Sequence, residues 1–191
     1  LLRPGGRLPL NIFEPRYLSM VRDVMAQPHR LIGMIQSRDD SEDDKLFDVG
    51  CAGRISSYSE TDDGRMLITL SGTSRFRLLD CDDGAAGYRL ASVSWSEFKS
   101  DLVPCETEIS REHLIDVLRY YFKLKGFTAD WDHIQNCEDE RLVSTLSMIC
   151  PFEVPEKQAL LESVDLTSRA ELLIAILEMA SHSEHDDQGA K

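Results

Sequence analysis

Basic residues are scarce relative to acidic ones in this 191-residue sequence. Its 21 Lys and Arg residues face 34 Asp and Glu residues, which gives a formal net charge of −13. Proteins that bind a phosphate backbone usually neutralise it with a surplus of basic side chains, so nucleic acid is disfavoured as a partner. Fifteen of the 21 basic residues are Arg, which suits carboxylate and main-chain recognition, so a local basic patch fits this composition.

Long apolar runs and paired cysteines are also missing. The longest apolar runs, such as residues 172–177, fall far short of the roughly 18 residues that a membrane span needs. The five cysteines are odd in number and scattered, with no C-x-x-C pair, so neither a disulfide framework nor a zinc knuckle is predicted. We expect reduced thiols packed as small hydrophobic side chains in a cytoplasmic protein. The sequence begins with Leu1 rather than Met, and we interpret it as lacking its natural start.

Recognisable catalytic motifs are absent as well. Neither of the glycine patterns G-x-x-x-x-G-K-[ST] and G-x-G-x-x-G occurs, so the sequence predicts no phosphate-binding loop. The string SGTSR at residues 71–75 lacks the closing glycine of a serine hydrolase motif and reads as a turn. The five histidines have no partner within a motif, and His182 and His185 lie in a predicted tail. We therefore predict no catalytic residue, no metal site and no cofactor.

The residues that are present predict an α+β protein. Short runs of alternating hydrophobicity fill residues 1–103 and predict about six strands, interrupted by one helix from Pro15 to residues 27–28. Gly72 is expected to break one strand pattern, and the acidic residues 39–44 to form a solvated loop. The last strand is expected to run from Tyr88 to Phe98. From Pro104 the apolar period changes to about 3.6, so residues 104–180 predict helices and residues 181–191 a disordered tail. Gly126 is expected to end one of these helices, and Asp165 or Thr167 to cap the last one. Whether the two parts are independent domains is left open.

The segment LPLNIFEPRY at residues 8–17 carries a resemblance to a known family. It is similar to the L-P-L-x-I-F-E-P-R-Y signature of the LON domain, the N-terminal domain of Lon proteases, which also occurs as a stand-alone bacterial protein and in cereblon. Further similar stretches follow in the same order. They are VGCAGRI at 49–55, DGR at 63–65, LSGTSRF at 70–76, and EKQALLE at 156–162 followed by Arg169.

The resemblance implies a β-rich, PUA-like pseudobarrel followed by a C-terminal helical bundle, in agreement with the change of period. It also implies a binding module without the ATPase P-loop and the Ser-Lys peptidase dyad of full-length Lon, because the chain ends where those modules would begin. The first strand that is usual in the family is not found before Leu8. We therefore expect the barrel to lack one strand.

The signature residues have structural and binding interpretations. Glu14, Pro15, Gly72 and Phe76 are expected to support the fold, with Pro15 fixing the first helical turn and Glu14 accepting hydrogen bonds from its amides. Tyr17 is expected to begin the buried stripe of the helix. Arg16 and Arg75 are expected to pair with Glu14 or Asp80. In the binding interpretation, Phe13, Arg16, Tyr17, Arg54 and Arg75 line an open barrel face that receives an extended segment through main-chain hydrogen bonds.

Three functional hypotheses follow. The leading one is a non-catalytic module that binds unfolded or degron-bearing polypeptides, or docks a protein partner. The second is a small-molecule sensor, or an unrecognised enzyme, that uses the barrel pocket. The third is RNA binding through the PUA-like fold, against which the net charge argues. The partner's identity, any cooperating protease and the oligomeric state are left open.

Overall fold

The computed structural model describes residues 1–38, 45–103 and 109–188, with side chains described as far as residue 182. The chain divides into two compact units, Leu1–Pro104 and Cys105–Lys191. We call them the sheet unit and the helical unit, and each is described by itself. The acidic stretch at residues 39–44, predicted to be a solvated loop, lies outside the described residues.

The sheet unit is an antiparallel sheet with one α-helix and one 3-10 helix. Its described elements are β1 (Arg7–Ile12), α1 (Pro15–Met25), β2 (Leu31–Met34), β3 (Val49–Glu60), β4 (Met66–Asp83), β5 (Arg89–Ser94) and a 3-10 helix (Ser96–Leu102). The strand order is β1-β4-β3-β2, and β5 also pairs with β4. The described residues thus form five strands rather than about six, because two predicted runs belong to one long β4.

Gly72 lies within β4 instead of ending a strand, contrary to the prediction. Its amide donates to the Gly6 carbonyl at 2.9 Å, and its carbonyl accepts from the Gly5 amide at 3.1 Å. A Cβ atom added there would lie 1.8 Å from the Arg3 carbonyl oxygen. The glycine is therefore required by the close passage of the N-terminal segment, and the sheet continues through it.

The core of the sheet unit follows from alternation along β3 and β4. Met66, Ile68 and Leu70 point inward and are buried, and Ile55 lies opposite Leu70. Further along β4, Phe76 is buried in the space above Gly50, where a Cβ atom would meet the Phe76 ring at 2.5 Å. Phe76 is thus part of the core, which agrees with its predicted structural role.

The segment after β5 differs from the prediction. A strand was expected to reach Phe98, but β5 ends at Ser94 and the 3-10 helix follows. Trp95 packs edge-on against Phe76, with ring centroids 5.9 Å apart, and Phe98 is buried. Leaving the strand places the Phe98 ring in the interior, 4.9 Å from the Arg75 guanidinium, an arrangement that local alternation does not reveal.

The helical unit contains five described helices, α2 (Arg111–Lys125), α3 (Trp131–Asn136), α4 (Asp139–Ile149), α5 (Val154–Glu162) and α6 (Leu166–Gln188). Gly126 ends α2 with φ of 68°, as predicted. Of the two predicted caps of α6, Asp165 or Thr167, the Asp165 carboxylate accepts from the Ser168 amide. The short α3 was not predicted. Helix α6 extends to Gln188, whereas a disordered tail was predicted from Ser181.

One aliphatic and aromatic cluster forms the core of the helical unit. Most of its buried members come from α2, α4, α5 and α6 and include Leu118, Tyr121, Leu146, Leu160 and Leu173. The stripes that predicted the helices are therefore the surfaces that they bury against one another. The predicted α+β class, with an antiparallel sheet followed by helices, is confirmed. None of the described helices has the length and apolar character required to cross a bilayer.

Candidate functional site

The predicted binding residues cluster around the start of α1. Pro15 occupies the first helical position, where its fixed φ suits the first turn. Glu14 is the N-cap, but its side chain accepts no amide hydrogen bond. Its carboxylate instead receives the Arg16 guanidinium at 3.0 Å. The predicted capping role of the Glu14 side chain is therefore wrong, and the predicted Arg16–Glu14 pair is confirmed.

Phe13 is exposed at the junction between β1 and α1, with 61% of its surface accessible. The register of β1 and β4 places Asn11 opposite Leu67, so Phe13 and Leu67 share the outward face of the sheet. Leu67 is 44% exposed. The Arg65 guanidinium lies 6.0 Å from the centre of the Phe13 ring, within the range of a cation–π contact.

Arg16 and Tyr17 extend this exposed area onto the first turn of α1. The Arg16 guanidinium lies 4.6 Å from the centre of the Tyr17 ring. Tyr17 is half-buried, whereas Val21 and Val24 are the buried residues of α1, so the buried stripe begins later than predicted. We call Phe13, Arg16, Tyr17, Arg65 and Leu67 the Phe13 surface.

Helix α1 is held beside the hairpin that joins β4 and β5. The Tyr88 hydroxyl donates to the Asp23 carboxylate at 2.8 Å, and this hydrogen bond raises the pKa of Tyr88. A Cβ atom added to Gly87 would lie 3.6 Å from the Arg16 Cβ. The position of the Phe13 surface is therefore fixed by β1 on one side and by this hairpin on the other.

Arg75 is not on an accessible face. It is only 2% exposed, and its guanidinium donates to both carboxylate oxygens of Asp101, with Nη2–Oδ1 at 2.8 Å and Nε–Oδ2 at 3.0 Å. The Arg75 amide donates to the same carboxylate at 2.8 Å. Its partner is therefore Asp101 rather than the predicted Asp80, and Arg75 joins the 3-10 helix to β4 instead of contacting a ligand.

Arg54 lies away from the Phe13 surface. It lines a cavity of about 510 Å³ with the last residues of α1 and the segment that leads into β2. Helix α1 has 11 residues, which is roughly 16 Å at 1.5 Å per residue. The five predicted binding residues thus occupy three places: Phe13, Arg16 and Tyr17 at the start of α1, Arg54 near its end, and Arg75 in the interior.

Cys51 and Cys150 lack the environment of a reactive thiol. Burial raises the pKa of the Cys51 thiol to about 12 and that of Cys150 to about 11. Both thiols therefore stay protonated at neutral pH and pack as small hydrophobic groups. Among the described side chains, no group of three or more His, Cys, Asp and Glu residues converges to hold a metal ion. The side chains of His185 and its neighbours in the tail lie outside the described residues.

Sequence reasoning did not single out Arg65, Leu67 or Asp101. Arg65 belongs to the DGR turn, and the strand alternation that buries Met66 and Ile68 also exposes Leu67. Aligning the predicted β3–β4 hairpin with β1 could have identified these two residues as neighbours of Phe13. Asp101 had no such signal, because the 3-10 helix that brings it to Arg75 was not predicted.

The family follows from comparison with known proteins. A family model described as the ATP-dependent protease La (LON) substrate-binding domain matches residues 2–179. The chain belongs to the Lon substrate-binding domain family. The resemblance carried by LPLNIFEPRY is thereby confirmed.

The relatives agree with this family. Lon protease 2 of Myxococcus xanthus is 25% identical over 181 residues, covering 91% of this chain and 22% of the relative. Lon protease of Azorhizobium caulinodans is 23% identical, covering 92% of this chain and 21% of the relative. Cereblon of Danio rerio is 30% identical over 96 residues, or 49% of this chain and 22% of that protein. The chain spans about a fifth of the length of these curated relatives.

Solved structures show the same fold. A Lon N-terminal domain protein from Xanthomonas campestris has a TM-score of 0.62 and 26% identity, with 92% of each chain covered. The N-terminal domain of the Mycobacterium avium complex Lon protease has a TM-score of 0.60 and 18% identity, covering 93% of this chain and 92% of that chain. The LON-type fold, a pseudobarrel followed by helices, is thus confirmed.

Proposed function

We propose that this Lon substrate-binding domain binds unfolded polypeptide segments at the Phe13 surface. The exposure of Phe13 is the observation that carries the proposal. Burying a large apolar side chain stabilises a complex by roughly 1.5–3 kcal/mol, and aromatic and Arg side chains are the usual anchors of protein interfaces. Phe13, Tyr17, Arg16 and Arg65 bring both types together.

The edge of β1 supports an extended ligand. Among the described strands, β1 pairs with β4 alone, so its other edge is not occupied by a strand. An extended segment that lies along this edge gains main-chain hydrogen bonds, while an apolar side chain of the segment packs against Phe13 and Leu67. Pro9 has no amide hydrogen, so pairing is expected towards Asn11 and Ile12, next to Phe13.

The charge distribution favours a polypeptide over nucleic acid. The helical unit carries 8 basic and 18 acidic residues, whereas the sheet unit carries 13 basic and 16 acidic residues. The sheet unit is therefore close to neutral but has no surplus of cations for a phosphate backbone. The four described cysteines are free thiols, which fits the expected cytoplasmic setting.

A binding experiment tests the proposal directly. The full chain is titrated into a fluorescently labelled protein that reduction and alkylation keep permanently unfolded, and anisotropy is recorded. We expect saturable binding that the folded, disulfide-bonded form of the same protein does not compete for. Equal competition by the folded form would contradict recognition of unfolded segments.

A further inference from the structure

The cavity near the end of α1 is lined by basic side chains and by no acidic one. Its volume is about 510 Å³, and it is lined by Met25, Ala26, Gln27, Pro28, His29, Arg30, Arg54 and Ile55. Two arginines and one histidine line it, and no acidic residue does. Met25 and the buried Ile55 supply apolar wall. Such a cavity suits a ligand with a negative group on an apolar stem.

The two cavity arginines differ from most other arginines of the sheet unit. Six of those others each form an ion pair, namely Arg16, Arg38, Arg65, Arg75, Arg77 and Arg89. Within the described part of the chain, Arg30 and Arg54 have neither an ion pair nor a side-chain hydrogen bond. Their guanidinium donors are thus available to an external anion, with no internal carboxylate to displace.

The backbone places these two arginines one position apart, where the segment before β2 meets β3, and both side chains line the same cavity. The Arg30 carbonyl accepts from the Ile55 amide at 3.0 Å, and the register of β2 with β3 places Leu31 opposite Arg54. Arg30 has φ of 51°, a conformation that is unfavourable for a residue with a side chain. Glycine would adopt it without strain, so the presence of Arg30 indicates a use for its side chain.

We propose that this cavity binds a carboxylate group of the polypeptide ligand, with Arg30 and Arg54 as its donors. The proposal rests on the proposed function, because the polypeptide supplies the carboxylate. A guanidinium presents parallel N–H donors that match the two oxygens of a carboxylate. The carboxylate comes from a Glu or Asp side chain or from a peptide C-terminus, and both sources share this chemistry. The domain would then prefer acidic or C-terminal segments.

A small carboxylate tests the cavity without any polypeptide. Glutarate is titrated into the full, 15N-labelled chain, and the Nε–Hε signals of the arginines are followed by NMR. We expect saturable shifts of the Arg30 and Arg54 signals. Sodium chloride of equal ionic strength should leave the positions of both signals unchanged within experimental error. Absence of a glutarate-specific shift, or equal shifts of the Arg89 signal, would overturn the proposal.

Peptides then distinguish the two sources and separate this proposal from the proposed function. Four otherwise identical unfolded peptides are compared, with either Glu or Gln inside and either a free or an amidated C-terminus. We expect the preferred carboxylate to strengthen binding at least fivefold, and Arg54→Gln and Arg30→Gly to remove that gain. Arg89→Gln, which removes the same charge from an exposed arginine, should leave it unchanged.

Failure of carboxylate recognition and failure of polypeptide binding give different results in these experiments. If all four peptides bind equally, polypeptide binding stands and carboxylate recognition is overturned. If none binds while glutarate shifts both arginines, the cavity binds carboxylates and the proposed function fails. Arg30→Gly is suited to this test because it removes the side chain at a position where glycine fits the backbone.

Discussion

Arg75 on β4 forms a two-point ion pair with Asp101 of the 3-10 helix, and both side chains are almost completely buried, at 3% and 7% exposure. Two positions further along the same strand, Arg77 forms a similar pair with Glu97, but in solvent. The Arg77 guanidinium lowers the pKa of Glu97. The two pairs join the same elements and differ mainly in burial.

This contrast predicts different costs for removing each arginine. Arg75→Ala leaves the Asp101 carboxylate buried without its partner, and we expect it to lower the free energy of unfolding by about 3–5 kcal/mol. Arg77→Ala is the matched control and should cost about 1 kcal/mol or less, because water solvates Glu97. Urea unfolding followed by Trp95 fluorescence, in a Trp131→Phe background, reports on the sheet unit. Equal losses for the two variants would contradict the structural role of Arg75.

Gly72 provides a second stability test. Gly72→Ala places a methyl group 1.8 Å from the Arg3 carbonyl oxygen, so the N-terminal segment has to move. We expect a loss of at least about 2 kcal/mol in the free energy of unfolding, at the high end of overpacking effects. Ser71→Ala changes the preceding residue of the same strand and removes only an exposed hydrogen bond to Ser56, so it should cost about 1 kcal/mol or less. A Gly72→Ala variant as stable as the parent chain would rule out the close passage seen here.

Cys51 should be the least reactive described thiol. Because burial raises its pKa to about 12, we expect a disulfide reagent at pH 8 to modify the half-buried Cys81 and Cys137 first. The test uses a Cys105→Ser variant and peptide mapping after limited reaction. Early labelling of Cys51 in the folded chain would contradict its burial.

The same raised pKa has a consequence for stability. The ordinary thiol pKa is 9.0, so above that pH the unfolded chain loses this proton while the folded chain keeps it. Folding is then opposed, and the contribution of Cys51 to stability falls as the pH rises from 9 towards 12. Cys51→Ala should make unfolding less sensitive to pH over that range.

Phe13 should contribute more to binding than an equally exposed apolar residue elsewhere. We expect Phe13→Ala to weaken binding of the unfolded test protein by at least fivefold, the effect of losing an interface anchor worth about 1 kcal/mol or more. Leu79→Ala is the control, because Leu79 is 64% exposed and Phe13 61%. The circular dichroism spectra of both variants should match that of the parent chain, which shows that the fold is retained. Equal affinity of the two variants would remove Phe13 from the binding site.

Local patterns in the sequence predicted much of the fold. Pro15 and the apolar spacing predicted α1, Gly126 predicted the end of α2, and the pair of candidate caps Asp165 and Thr167 predicted the start of α6. These features depend on a few neighbouring residues, so a single sequence reveals them. The predicted break at Gly72 was wrong because its cause is a distant contact with Arg3, which no local pattern encodes.

The candidate site was predicted less completely for the same reason. The LPLNIFEPRY signature drew attention to Phe13, Arg16 and Tyr17, which are adjacent in sequence and remain together in the structure. Arg75 was misassigned because its burial depends on Asp101, which lies 26 residues further along the chain. Arg30 was missed because neither its positive φ nor its position beside Arg54 is visible in the sequence.

Chemical-shift mapping of the full chain with the unfolded test protein examines polypeptide binding at the Phe13 surface most directly. We predict that the largest backbone amide shifts occur at residues 11–17 and 65–67, with a second group around Arg30 and Arg54 for ligands that carry a suitable carboxylate. The same experiment with Phe13→Ala should lose the first group. Shifts confined to residues 140–180 of the helical unit would contradict the assignment and place the binding site there.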